Sequence, residues 1–242
     1  MRLAFALTAL GIALLLAAAC SDGEDVVTQD IVTDIPWVDG ERTEYAVFDD
    51  EGEDELGTGV YEATLQGDRY LLSLNYEGEL STDESEVVVD ATTLKPLTLH
   101  REVHTDTTDQ VLDGDYDAEE MVANITLKED DNDEESTVRR LKEHYYDNES
   151  SVFLWRTIPF AEGYEASYHA AVLNLGRNAA VTLRVVDREE ITVPAGTFDT
   201  WVVEIEAGGA KQKAWFSDSP EHWLVQYDNT LNVFRLKSTG DA

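Results

Sequence analysis

The chain has 242 residues, 51 aspartates and glutamates against 17 lysines and arginines, a formal net charge of −34 and a single cysteine. Charge of that sign repels nucleic acid and anionic lipid headgroups, so neither is a partner by electrostatic attraction. One cysteine excludes an intramolecular disulfide, and a chain of this length has to be held by an ordinary apolar core.

Arg2 is followed by an apolar run over residues 3–19 that ends in Ala17, Ala18 and Ala19, directly before Cys20. The run is short for a bilayer span of about 20 residues, and it has the basic start, length and small-residue end of a secretory signal. It resembles a bacterial lipoprotein signal, whose terminal cysteine is lipidated. That resemblance implies removal of residues 1–19 and acyl chains on Cys20, each buried methylene contributing about 0.8 kcal/mol to membrane attachment. The expected location is the cell envelope, outside the cytoplasm, on the periplasmic side or at the cell surface. Residues 20–40, rich in Ser, Asp, Gly, Glu and Thr, read as a flexible acidic tether with Trp37 as its first docked residue.

Residues 41–237 carry short alternating runs broken by turn residues, the pattern of a single antiparallel β domain, with 238–242 as a tail. Strands are expected at 43–48, 58–65 and 69–76, where Tyr70, Leu72, Leu74 and Tyr76 share one face. Further strands are expected at 86–89, 97–104, 121–128, 136–146, 181–185, 199–206, 211–216, 222–227 and 231–236. Gly67, the Gly208–Gly209 pair and Asp228–Asn229 supply hairpin turns, and the acidic stretch 129–135 reads as a hairpin tip. One segment breaks this rhythm: Asn148–Ser151 as a cap, then an apolar helix from Val152 to Ile158 stopped by Pro159. The fold class is therefore mainly β, one large curved antiparallel sheet of about 10–12 strands forming an open half-barrel, with a short helix against its concave face.

At 191–200 the chain reads ITVPAGTFDT, followed by WVVEIEAGG and KAWFSDSPEHWLVQYDN, with VVVDATTLKP upstream at 87–96. These segments resemble an uncharacterised family of bacterial periplasmic and lipid-anchored proteins marked by a VPAGTF hairpin. That family is similar in fold to lipoprotein-localisation factors (LolA/LolB-like), which implies a half-barrel wrapped around a helical plug. In the motif itself Pro194 fixes φ, Gly196 accepts a positive φ and Phe198 starts the returning strand, a structural task.

His100, Glu102 and His104 alternate on one strand face, neighbours about 7 Å apart, so adjacent members form a weak candidate metal pair; the outer two, about 13 Å apart, cannot share one ion. The bland alternative is a polar outer face opposite Leu97, Leu99 and Val103. Asp113, Asp115 and Asp117 have the start of a calcium loop, but Ala118 stands where that loop needs glycine, which favours an acidic turn containing Gly114. No GxSxG or phosphate-cradling loop is present, Cys20 offers no free thiol once it is acylated, and no enzyme, catalytic residue or cofactor is expected. The aromatic-rich segments make Trp155, Phe153, Leu154, Trp201, Trp215, Tyr70 and Tyr76 candidates for lining a groove between sheet and helix.

The function expected from the sequence is non-catalytic binding, of a hydrophobic molecule or an envelope partner in the half-barrel groove. The competing expectation is an interaction module whose acidic surface docks a basic partner or divalent ions; a third class is metal-dependent hydrolysis near His100 and His104.

Overall fold

The computed structural model describes residues 26–241; the signal segment and Cys20 lie outside the described residues. Two β meanders meet edge to edge. The first runs through β1 (Glu41–Phe48), β2 (Glu55–Gln66), β3 (Arg69–Gly78), β4 (Ser81–Asp90), β5 (Pro96–Thr105), β6 (Asp109–Asp117), β7 (Val122–Glu129) and β8 (Glu135–Arg140). After a short β9 (Tyr145–Asp147), the second runs through β10 (Glu165–Val172), β11 (Arg177–Val193), β12 (Gly196–Ala207), β13 (Ala210–Ser217), β14 (Leu224–Asp228) and β15 (Val233–Asp241). β15 pairs with β1, giving one sheet of 15 strands among the described residues, with β8 at one end and β9 at the other. Neighbours are antiparallel except β9, which pairs in parallel with β10. The sheet is not closed into a barrel.

Period-two alternation sets the two faces. Leu72, Leu74 and Tyr76 of β3, Val87 and Val89 of β4, Val181, Leu183 and Val185 of β11, and Val203 and Ile205 of β12 all point into one core. The segment between β9 and β10 fills the concavity. Its helix is shorter than expected: α1 covers Ser151–Leu154 and continues as a 3-10 turn over Trp155–Thr157, and no side chain caps it. Ile158 is already extended (φ −75°, ψ 155°), as the residue before a proline is driven to be. Val152, Phe153, Leu154, Trp155 and Ile158 are all buried.

The structure corrects the sequence reading in several places. Residues 113–117 are not a turn: β6 runs through them with Leu112 and Gly114 buried and Asp113 and Asp115 exposed. A Cβ at Gly114 would lie 2.4 Å from Leu173 Cδ1, so glycine leaves the inward position to a neighbour's side chain and thereby hides the alternation. The expected strand 136–146 splits into β8 and β9, separated by His144 at φ 53°. β10 lies outside every strand expected from the sequence. Docking begins ahead of Trp37: Ile31 is buried, Gln29 N donates to Ser167 O (2.8 Å), and Thr33 N to Thr157 O (3.2 Å). Residues 238–241 are strand and not tail, because β1 continues beside them, with Arg42 opposite Gly240.

Candidate functional site

The groove candidates do not share a groove. Trp155 is fully buried, donates from Nε1 to the Tyr168 hydroxyl (2.9 Å) and packs edge-on against Tyr227 (5.4 Å). Phe153 and Leu154 are core residues, Phe153 meeting Trp37 at 5.6 Å. Tyr76 is buried with its hydroxyl donating to Leu56 O (3.2 Å), and half-buried Tyr70 lies against Trp37 at 5.8 Å. Trp201 is half-buried against the core, under the Arg188 guanidinium (4.4 Å), and donates from Nε1 to Asp218. Trp215 is paired with Val202, which alternates with inward Val203, so it lies on the outer face, donating to Glu189 Oε2 (2.9 Å).

The VPAGTF motif closes the β11–β12 hairpin. Pro194 is at its tip, Val193 pairs with Gly196 (φ 137°), and Ala195 N donates to Leu236 O (3.0 Å), tying the turn to β15. Phe198 is half-buried against the core.

His100, Glu102 and His104 are on the outer face. His100 Nδ1 lies 2.7 Å from Asp113 Oδ1 and its Nε2 3.1 Å from Glu102 Oε1, while His104 Nδ1 lies 2.9 Å from Asp109 Oδ1. Asp113 raises the His100 pKa and Asp109 that of His104. Among the described residues no three His, Cys, Asp or Glu side chains come together in a metal-holding geometry.

The residue between those two outer positions is the one the sequence reading passed over. Arg101 takes the inward register between Leu99 and Val103 and is buried. Its Nε and Nη2 donate to Asp83 Oδ1 (2.8 Å) and Oδ2 (2.7 Å), a bidentate pair, and its Nη1 lies 3.6 Å from Glu149 Oε1. Asp83 belongs to β4, inward beside Ser85; Glu149 comes from the turn that leads into α1. Asp147, also fully buried, accepts from Glu149 N through Oδ1 (2.7 Å) and from the Tyr116 hydroxyl through Oδ2. A cavity of about 10 Å³ lies between Leu74, Tyr76, Asp83, Ser85 and Glu149, room for about one water. The cluster thus sets three buried carboxylates against one guanidinium.

That imbalance is met by a proton. Burial, then the nearby Glu149 charge, pushes the Asp147 carboxyl up to about 7, and burial raises Glu149 despite the Arg101 charge. A carboxyl whose folded pKa lies above its unfolded value stabilises the fold fully below about pH 4, and that contribution is lost as pH rises through about 7. At about 1.4 kcal/mol per pKa unit this is a few kcal/mol. Asp147→Asn, which still accepts from Glu149 N–H and donates to Tyr116, should flatten the dependence of the urea midpoint between about pH 4 and 7. An unchanged slope in the variant would show that Asp147 is not its source.

A second ionic contact holds the other end of the plug. Arg156, buried in the 3-10 turn, donates to Glu41 Oε1 (2.5 Å) and Oε2 (3.3 Å) and to the carbonyls of Glu221 (2.7 Å) and His222 (3.1 Å). It lies between the rings of Trp37 (5.4 Å) and Trp223 (5.2 Å). The plug is therefore apolar in its middle and pinned by a guanidinium at each end, Arg101 of the sheet and its own Arg156. A separate polar hollow of about 220 Å³ opens between Glu204, Lys211, Gln212, Lys213 and Asp228 on the β12–β13 side.

The family model described as a protein of unknown function (DUF3108) matches residues 39–233. The chain belongs to the DUF3108 family. The match spans the sheet from just before β1 to the start of β15, so the plug and both ionic contacts lie within the DUF3108 region. A β-barrel-like protein of the DUF1849 domain of unknown function from Brucella abortus is similar in fold, with a TM-score of 0.55 at 13% identity over 85% of this chain and 99% of that one. A protein from Bacteroides fragilis described as exported, with a YmcC-like fold, aligns over 88% of this chain and 100% of its own, with a TM-score of 0.31 and 12% identity. No curated protein matches the sequence.

Proposed function

We propose that this DUF3108 chain is a non-enzymatic extracytoplasmic module, tethered to a membrane by lipid on Cys20, that works by docking a basic envelope partner on its acidic outer surface. The observation that carries this reading is the filled concavity: Phe153, Leu154 and Trp155 occupy the space in which a half-barrel would hold a ligand. The hollows beside the strands, about 10 and 220 Å³, fall below the roughly 300–1,000 Å³ of a small-molecule site. The outer face of β5 and β6 instead presents Glu102, Asp109, Asp113 and Asp115 around two histidines. The signal-like residues 2–20 support the location.

The full chain should show no saturable uptake of a hydrophobic fluorophore at neutral pH. Its retention on cross-linker-free envelope membranes from which the lipid anchor has been cut should be lost in about 1 M salt, where exposed charges are screened beyond about 3 Å. Stoichiometric fluorophore binding displaced by fatty acid, or retention indifferent to salt, would overturn the proposal. A second reading, ligand entry by displacement of the plug, is favoured by one feature: the plug is anchored through ion pairs at its two ends, contacts that a local change of protonation weakens.

A further inference from the structure

The two ends of the sheet are unlike. β9 is buried, with Tyr145, Tyr146 and Asp147 all covered. β8, at the opposite end, pairs only with β7 among the described residues and is exposed at every position but Thr137, with Val138 58% exposed. Such an edge invites another strand unless charge or shape prevents it.

The side of each β8 residue follows from the ladder. Leu141 N donates to Met121 O (2.8 Å), continuing the bonds to β7, so the odd-numbered residues of β8 bond inward and Ser136, Val138 and Arg140 turn their N–H and C=O groups away. The Arg140 carbonyl accepts from Asn178 Nδ2 (2.9 Å), which agrees with this and bounds the open edge at that end. Thr137 and Arg139 stand opposite Ile125 and Ala123, both in the core, and so share the inner face; Ser136, Val138 and Arg140 share the outer face.

We infer that β8 is the interface between two copies of this chain, paired antiparallel about a twofold axis through Thr137. A continuous sheet requires paired residues to share a face. That register sets Thr137 against its own copy, Ser136 against Val138 with both bonds exchanged on each side of the axis, and Glu135 against Arg139 on the inner face. One step further out, Glu134 meets Arg140. None of these four charged side chains has an ion-pair partner among the described residues. Moving the axis to Val138 or to Ser136 loses both Glu–Arg pairs and leaves one opposite-charge pair on each side, Glu134 with Lys142 or Asp133 with Arg139, so the charges favour the register about Thr137. Charges that merely guard an edge repel a like strand; these, acidic at the start of β8 and basic at its end, attract their own reverse. A uniformly acidic peptide would be repelled by Glu134 and Glu135.

The test uses the full chain at physiological ionic strength. Thr137→Cys places thiols on the axis, at a Cα separation of about 4.5 Å that suits a disulfide. Under mild oxidation it should form a disulfide between the two copies at position 137 about tenfold faster than Leu80→Cys, which is exposed on the β3–β4 turn. In sedimentation, Glu135→Arg should weaken self-association about tenfold by creating two like-charge contacts, and adding Arg139→Glu should restore it. Equal cross-linking at both positions, a double variant as weak as the single one, or β8 pairing with an acidic peptide in place of a second copy would overturn the inference.

Discussion

Arg101→Met should lower the stability of the domain by about 3–5 kcal/mol, the usual cost of removing one partner from a buried ionic cluster. Asp83 and Glu149 would lose the one guanidinium that pairs with them among the described residues while Asp147 stays beside them, and the small cavity at their side has room for only about one water in its place. The sign of the pH effect separates lost charge from lost packing. Carboxylates without a cation are driven to bind protons, so the deficit should shrink toward pH 4 and widen toward pH 8. Urea unfolding of the wild type and variant at both pH values checks this. A deficit independent of pH would mean that the arginine stem, and not its charge, supports the site. Glu149→Gln in the same background should recover part of the loss, because the two residues act as a pair.

Trp155→Ala should cost about 3–5 kcal/mol as well, through a different mechanism. The indole is fully buried, packs against Tyr227 and satisfies the Tyr168 hydroxyl. Its removal leaves a cavity at the centre of the plug and takes away a donor to that hydroxyl. The expected result is a lower denaturant midpoint with an unchanged m-value. An apolar cavity of this kind stays dry and admits small apolar molecules, so the variant should bind a hydrophobic fluorophore that the wild type does not. If the wild type binds it equally well, the concavity is open to ligand and the docking proposal fails with it.

Much of the architecture was legible because alternation in a strand has one cause. Tyr70 to Tyr76, Val181 to Val185 and the Gly208–Gly209 turn each pointed to an element that is present. β6 was missed where Gly114 stands at an inward position, since a side chain is needed for the pattern to register and here Leu173 supplies it from elsewhere. The VPAGTF hairpin was read as a turn and is one. Size is the feature that marks the groove candidates in the sequence, and a one-dimensional pattern cannot tell an aromatic residue that lines a space from one that fills it.

The candidate site shows the same division. His100 and Glu102 are ligand types on one face, while Arg101 between them carries the stronger signal: a charge in the same inward register as Leu99 and Val103. Asp83, two residues from Ser85 and four from Val87, gives a matching signal on β4. Neither has meaning until the strands are paired, because a buried arginine is tolerable only beside its acid.

By itself the sequence determined the β class, the single sheet, the apolar segment that breaks its rhythm, and the acidic outer surface, since each follows from local periodicity or composition. The tertiary structure decided that the segment fills the concavity, that Arg101 and Arg156 pin it, and that β8 is the edge left open. Those depend on which strands are neighbours, and neighbours in a sheet are set by pairing between residues far apart in the chain.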